Sequence, residues 1–275
     1  MKRHVSLSLG LLAAAGLVLL PRGGFARAAR TPPPIKLTYR GGPLLPHLRV
    51  VTLFWGSAWS GSSLPAYFNG FFHTLFADGR YMANLAQYSV SGHSIGNGTF
   101  GVTTTDSQPP PAKLHDAQIR TEVRAQIAAG HLPKPDGNTV YFIFTPSNVE
   151  VYDEYGDNSV DDFYSFHDYD FASDGFPYAV LPYDDSLGDA RYMTINASHE
   201  LSEVVTDPEV TGADNQLGWY DDYYGEITDI VDTLYADGRI DDSGYVDALH
   251  GSDGSVYAVE KNWSLKDNAP VAFAQ

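Results

Sequence analysis

Apolar positions along this chain cluster into unbroken runs separated by polar, turn-rich stretches. Leu48-Arg49-Val50-Val51-Thr52-Leu53-Phe54-Trp55, Thr139-Val140-Tyr141-Phe142-Ile143-Phe144 and Tyr178-Ala179-Val180-Leu181-Pro182 are strand-length runs rich in β-branched and aromatic residues, so each reads as a buried strand. Between them the spacing turns helical. Ser62 or Ser63 with Pro65 caps a helix through Tyr67, Phe68, Phe71, Phe72 and Leu75, and a further helical piece covers Tyr81 to Tyr88. Thr99 to Thr105 reads as a strand and the prolines at 109–111 as a linker or rim. Asp116 is expected to cap a helix over Ala117–Ala129, with Ile119, Val123 and Ile127 on one side. A long Asp/Tyr/Gly-rich stretch, Tyr152 to Gly175, precedes the third strand, and a helix from about Tyr192 to Val205 follows it. Strands alternating with helices predict an α/β fold, with α+β as the alternative: one domain over residues 29–275, a mixed central sheet flanked by helices, and an irregular acidic C-terminal third.

The helix at Tyr192–Val205 carries His199-Glu200-Leu201-Ser202-Glu203. Residues four apart on a helix lie one turn above each other, so His199 and Glu203 can face one ion while Glu200 points to one side. The arrangement resembles the zincin His-Glu-x-x-His helix, with Glu203 in place of the second histidine; a carboxylate is an accepted zinc ligand. With nine His and eight Glu in 275 residues, the pattern arises by chance about 0.01 times per chain of this composition. Ala197, Leu201, Val204 and Val205 around it predict a helix packed on several sides, where three polar groups need partners or a metal. The other reading is a hydrogen-bonded structural cluster.

The N-terminus sets the compartment expected for this chemistry. Lys2, Arg3 and His4 precede an apolar run, Val5 to Leu20, and Ala26-Arg27-Ala28 follows, which reads as a secretory signal peptide over residues 1–28. The protein is therefore expected to be secreted, or held in a periplasm or at a cell surface, with no stable membrane insertion once the leader is gone. Removing Lys2, Arg3, Arg22 and Arg27 takes the formal charge from −17 to −21, which excludes nucleic acid and anionic membranes as partners. The chain has no cysteine, so an exported domain of this kind must be held by its core and by bound ions. Asp-rich segments such as Asp241-Asp242-Ser243-Gly244 and Asp253-Gly254-Ser255 read as solvated surface, with structural calcium as a weaker alternative. A Gly-x-Ser-x-Gly elbow and a phosphate-binding loop are both absent from the sequence.

Several separated pieces occur in the order found in one family. Tyr39-Arg40-Gly41-Gly42-Pro43-Leu44-Leu45 followed by Val50 to Trp55, Phe176-Pro177-Tyr178-Ala179-Val180, His199 to Pro208, Gly218-Trp219-Tyr220-Asp221, Glu226-Ile227-Thr228-Asp229 and Tyr257 to Ser264 span most of the chain. Together they resemble the exordium-like, or phosphate-induced protein 1, family, in its bacterial branch with a zincin-like helix. Relatives often carry cysteines; none is present here, so any disulfides of the family do not transfer. By the same resemblance His167 matches a position near a family Cys-Gly-x-His, which makes it, with Trp219 and Tyr220, a candidate cleft residue. A loop histidine satisfied by a carbonyl is the plainer reading of His167.

Zincin-like proteins with a carboxylate third ligand draw it from a later helix, and Glu226 is the best-placed candidate. Glu226 and Asp229 share one face of a helical turn, so either can ligate while the other orients His199. Otherwise Glu226 merely opens a helix. The implied function is a zinc-dependent metallopeptidase, with His199, Glu203 and Glu226 or Asp229 on the ion and Glu200 as general base, acting on a peptide or protein substrate. The alternative is a non-catalytic binding or signalling protein with an extracellular or cell-wall partner, in which the metal or polar cluster is structural.

Overall fold

The computed structural model describes residues 32–210 and 217–275. The expected leader, residues 1–28, lies outside them. Short β1 (Thr38–Tyr39) precedes β2 (Arg49–Trp55), α1 (Leu64–Asp78) and α2 (Arg80–Leu85). Then come β3 (Thr99–Asp106), β4 (Lys113–His115), α3 (Asp116–Ala128), β5 (Thr139–Thr145) and β6 (Glu150–Tyr152). The second half holds β7 (Phe166–Asp170), β8 (Phe176–Pro182), α4 (Arg191–Thr206), β9 (Trp219–Tyr220), α5 (Asp229–Ala236), α6 (Asp242–Tyr245), and strands β10 (Val246–His250), β11 (Val256–Glu260), β12 (Asn262–Ser264) and β13 (Ala269–Val271). Among the described residues no helix is long and apolar enough to cross a membrane.

The central sheet has the order β3-β2-β5-β8-β7, with four parallel strands and β7 antiparallel at the edge. This is the mixed α/β sheet that the runs of apolar residues predict, and it explains why those runs do not alternate. Val50 and Phe54 of β2, Val140, Phe142 and Phe144 of β5, and Ala179 and Leu181 of β8 enter the core shared with α1, α2, α4 and α5. The intervening Val51, Leu53, Trp55, Tyr141, Ile143, Tyr178 and Val180 enter a second core beneath Ile119 and Val123 of α3. With both faces covered, successive residues must all be apolar. Phe54, Phe68 and Phe144 stack in the larger core, Phe68 and Phe144 with centroids 5.1 Å apart.

Gly79 ends α1 and starts α2 with φ of 71°, a left-handed conformation that costs glycine nothing. The second piece stops at Leu85 and tightens into a 3₁₀ turn over Ala86–Tyr88. The expected cap of α3 is corrected: His115 caps it in a capping box with Gln118. Asp116 is drawn into the first turn because its carboxylate is bonded by the Tyr178 hydroxyl and Arg120.

The loop expected over Tyr152–Gly175 contains β7, Phe-His-Asp-Tyr-Asp, whose polar composition hides it. Its alternation is chemical rather than hydropathic. Asp168 and Asp170 point to the α3 side, where Arg124 Nε lies 2.6 Å from Asp170 and Arg120 Nη1 3.9 Å from Asp168. His167 points the other way, toward α4. The acidic C-terminal third consists of short elements: α5, α6 and the two antiparallel pairs β10–β11 and β12–β13. Its strand β11 is fastened to α4, since Glu260 N–H donates to Ser198 Oγ at 2.8 Å and Thr194 Oγ1 donates to the Ala258 carbonyl at 2.7 Å.

Candidate metal centre

Helix α4 is buried along nearly its whole length, and His199, Glu200 and Glu203 are each at most 1% exposed. Asp207, with Pro208 behind it, ends the helix: Asp207 has left helical geometry (φ −154°), while its N–H still donates to the Glu203 carbonyl at 2.6 Å.

His199 uses both ring nitrogens. Nδ1 lies 3.0 Å from Glu260 Oε2, and Nε2 lies 3.2 Å from Glu203 Oε2. A neutral imidazole has one N–H. If Nδ1–H donates to Glu260, the Nε2 lone pair faces a carboxylate oxygen, which requires either a second proton or a cation between them. Nitrogen and oxygen ligands bound tetrahedrally at about 2.0–2.2 Å stand about 3.3 Å apart, close to the 3.2 Å found here. The Glu260–His199 pair has the form of the carboxylate–histidine arrangement that orients metal-binding imidazoles. The Thr228 hydroxyl donates to the other Glu203 oxygen, Oε1, and fixes the rotamer.

The carboxylate that joins His199 and Glu203 is Asp229, which has a ligand atom within 4.8 Å of one on each of them. Glu226, favoured from the sequence as third ligand, instead groups with Glu203 and His167. The reason lies in the start of α5. Asp229 is its first residue, and its carboxylate accepts the Glu226 N–H at 3.2 Å; Asp229 then groups with His199 and Glu226 with His167.

His167 occupies β7 rather than a loop and is 2% exposed, so it does not line an open cleft. Its Nδ1 lies 3.2 Å from Glu200 Oε2 and 3.6 Å from Glu203 Oε2, while Nε2 lies 3.2 Å from the Asp207 carbonyl and 3.7 Å from Glu226 Oε1. A carbonyl contact was the plainer expectation, and it is present. Glu200 turns toward β7, where the Ser165 hydroxyl donates to its Oε1 at 2.5 Å. Tyr220 is buried, and burial first, then the carboxylates of Glu226, Asp229 and Asp207, raise its hydroxyl pKa. Trp219 is directed away: its indole N–H donates to the Tyr88 carbonyl at 2.8 Å, and its ring packs on Tyr39 and Tyr88.

Further acids join the cluster: Glu260, Asp207 and half-buried Asp232, which has a ligand atom within 4.8 Å of one on His199 and one on Glu260. Glu260 is fully buried, with Oε1 free of any hydrogen bond among the described residues. Asp207 is also fully buried: Oδ1 accepts the Gly218 N–H at 2.9 Å, and Oδ2 has no hydrogen-bond partner among the described residues. Neither Glu260 nor Asp207 belongs to the His199-to-Glu203 ligand spacing in the sequence. A signal existed for the first, since Glu260 ends the apolar run Tyr257-Ala258-Val259, where a charge must find a buried partner.

Six buried carboxyl groups (Glu200, Glu203, Asp207, Glu226, Asp229 and Glu260), with half-buried Asp232 grouped beside His199 and Glu260, thus surround two imidazoles. Two imidazolium charges cannot neutralise six carboxylates, so the rest must hold protons or a cation. Burial pushes Asp229 and Glu260 well above the usual carboxylate range and Asp207 up to about 7. Against the cost of burial, the carboxylates of Glu203 and Glu260 raise His199 well above its ordinary value, and His199 in turn draws Glu203 down to about 2. These buried His, Glu and Asp side chains could hold a metal ion. Asp241 and Asp253, the weaker calcium candidates, accept hydrogen bonds within their own turns from Ser243 and Ser255, and they join no ligand group among the described residues. The group Asp116, Glu154 and Asp168 lies beside Arg120, which already supplies a positive charge to Asp116 and Asp168.

The return from α4 to the site passes through Gly218. A Cβ there would lie 2.0 Å from the Thr206 carbonyl oxygen, a backbone atom at the end of the helix. Overpacking of this kind costs about 1–3 kcal/mol, so Gly218→Ala should lower the melting temperature by roughly 3–10 °C in calorimetry.

The fold and the site define an α/β protein with a buried histidine–carboxylate centre. No protein-family model matches the chain, and neither a curated protein nor a solved structure does.

Proposed function

We propose that this chain is a secreted metal-dependent hydrolase that binds zinc through His199, Glu203 and Asp229 and acts on peptide bonds. One observation carries the reading: His199 Nε2 and Glu203 Oε2, one helical turn apart, stand 3.2 Å from each other while Glu260 holds the opposite ring nitrogen. That is a spacing for two ligands of one ion, with the imidazole tautomer already set. When bound, zinc lowers the pKa of a water molecule and polarises the scissile carbonyl. Glu200, next to His199 in sequence, is the proton acceptor, and its bonds to Ser165 and His167 hold it as part of a buried polar chain. The resemblance of the chain to the exordium-like family supports the helix motif.

The test pairs metal analysis of the purified protein with a peptidase assay. Wild type should carry metal and cleave a peptide library, and Glu200→Gln should keep the ion while losing at least about a hundredfold in rate. Equal cleavage by Glu200→Gln rules out the mechanism. A second reading, a non-catalytic extracellular protein braced by its ion, is favoured by the burial of His199 and Glu203, both 0% exposed, because structural zinc sites are closed. A metal-loaded wild type without hydrolytic activity decides for it.

A further inference from the structure

We propose that the centre holds two divalent ions, with Glu203 shared between them and a second site formed by His167 and Glu226. This rests on the reading that His199, Glu203 and Asp229 bind the first ion.

Both histidines meet a carboxylate at Nδ1. Glu260 engages Nδ1 of His199 at 3.0 Å, and Glu200 engages Nδ1 of His167 at 3.2 Å. For His199 the carboxylate fixes Nδ1 as the donor and leaves Nε2 as a lone pair, whereas His167 has an acceptor at each nitrogen, Glu200 Oε2 at Nδ1 and the Asp207 carbonyl at Nε2. A neutral imidazole has one N–H, so when Nε2–H of His167 donates to the Asp207 carbonyl at 3.2 Å, with Glu226 Oε1 at 3.7 Å, the Nδ1 lone pair meets Glu200 Oε2 at 3.2 Å and Glu203 Oε2 at 3.6 Å. Electron-pair donors converging in a buried place repel unless a second proton or a cation lies among them. His167, Glu203 and Glu226 each offer a ligand atom within 4.8 Å of the others, and all three are buried. A separate observation points to the same place. Asp207 is 0% exposed, its Oδ2 has no hydrogen bond among the described residues, and its own carbonyl contacts His167 Nε2 at 3.2 Å.

Glu203 is common to the two groups, and its Oε2 lies 3.2 Å from His199 Nε2 and 3.6 Å from His167 Nδ1. A carboxylate between two imidazoles, each with its own terminal acid, Asp229 on one side and Glu226 on the other, is the composition of a carboxylate-bridged two-ion site. Two divalent charges also match the number of acids better than one. The donor set of the second position, one nitrogen with carboxylate and carbonyl oxygens, suits zinc or manganese.

The test is metal stoichiometry of the full chain, dialysed after loading with zinc, with manganese as the spectroscopic probe. Wild type should retain two ions per chain, His167→Ala one and His199→Ala one. Glu226→Gln, nearly the same shape, should also retain one and guards against a folding defect in His167→Ala, with near-ultraviolet circular dichroism as the check. Manganese-loaded wild type should give a spin-coupled resonance signal that becomes an isolated-ion signal in Glu226→Gln. A single ion in wild type, unchanged by His167→Ala and Glu226→Gln but lost in His199→Ala, overturns the second site and leaves the first intact. No retained ion in wild type overturns both.

Discussion

Stripped of divalent metal, the protein should melt about 6–16 °C lower than when loaded, and Glu203→Ala should melt low with or without metal. A ligand that binds only the folded state stabilises it by about 2.7 kcal/mol at a hundred times its dissociation constant and about 4.1 kcal/mol at a thousand times. For a chain of this size, each kcal/mol moves the melting temperature by roughly 2–4 °C. The structural reason for a large effect is the number of elements that the cluster joins. Glu203 and His199 come from α4, Asp229 opens α5, Glu260 ends β11, and His167 brings in the edge strand β7. Without a cation these elements meet through acids that must be protonated or left facing one another. Calorimetry of chelator-treated and zinc-loaded samples makes the comparison. Identical melting curves, with no dependence on Glu203, would mean that no ion belongs to the folded protein.

How far the sequence foretells this centre depends on which element a residue stands on. The helix pair was legible because both periodicities coincide: His199 and Glu203 are four apart, and Ala197, Leu201, Val204 and Val205 around them enter the core. The parallel strands were legible because burial on both faces removes polar residues from them altogether. Strand β7 was not. It sits at the sheet edge and spends its side chains on ions, Asp168 and Asp170 toward the arginines of α3 and His167 toward α4. A hydropathy pattern cannot register such a strand, so His167 read as a loop residue.

Glu260 was hidden for a different reason. Its contact with His199 spans 61 positions and depends on the docking of the β10–β11 pair against α4, which local spacing does not encode. The choice between Glu226 and Asp229 likewise turned on about one helical turn. Both sit in the same tetrapeptide, where Asp229 accepts the Glu226 N–H, yet Asp229 groups with His199 and Glu226 with His167.

Metal affinity should rise with pH between about 5 and 8, on the order of tenfold per pH unit for each proton displaced, while the metal-free protein loses stability over the same range. In the metal-free protein burial holds Asp229 and Glu260 well above the carboxylate range and Asp207 at about 7. His199 and His167 are raised above the ordinary histidine value, against the effect of burial, by Glu203 and Glu260 in one case and by Glu200 in the other. All five groups have folded-state values above their unfolded ones. Their contribution to folding is therefore present in full below the unfolded values and is lost as pH rises through the folded ones. Glu203 has the opposite sign: drawn down to about 2, it loses its contribution only under strong acid, below the window considered. A divalent ion replaces the protons on these groups, so loading reverses the trend and the gap in melting temperature between loaded and stripped protein widens toward pH 8. Calorimetric titration with zinc in two buffers of different ionisation enthalpy counts the protons released, and melting curves from pH 5 to pH 8 give the gap. Zinc binding that releases no protons at pH 6, with a gap that stays constant or narrows, would show that the ion lies away from His199 and its acids.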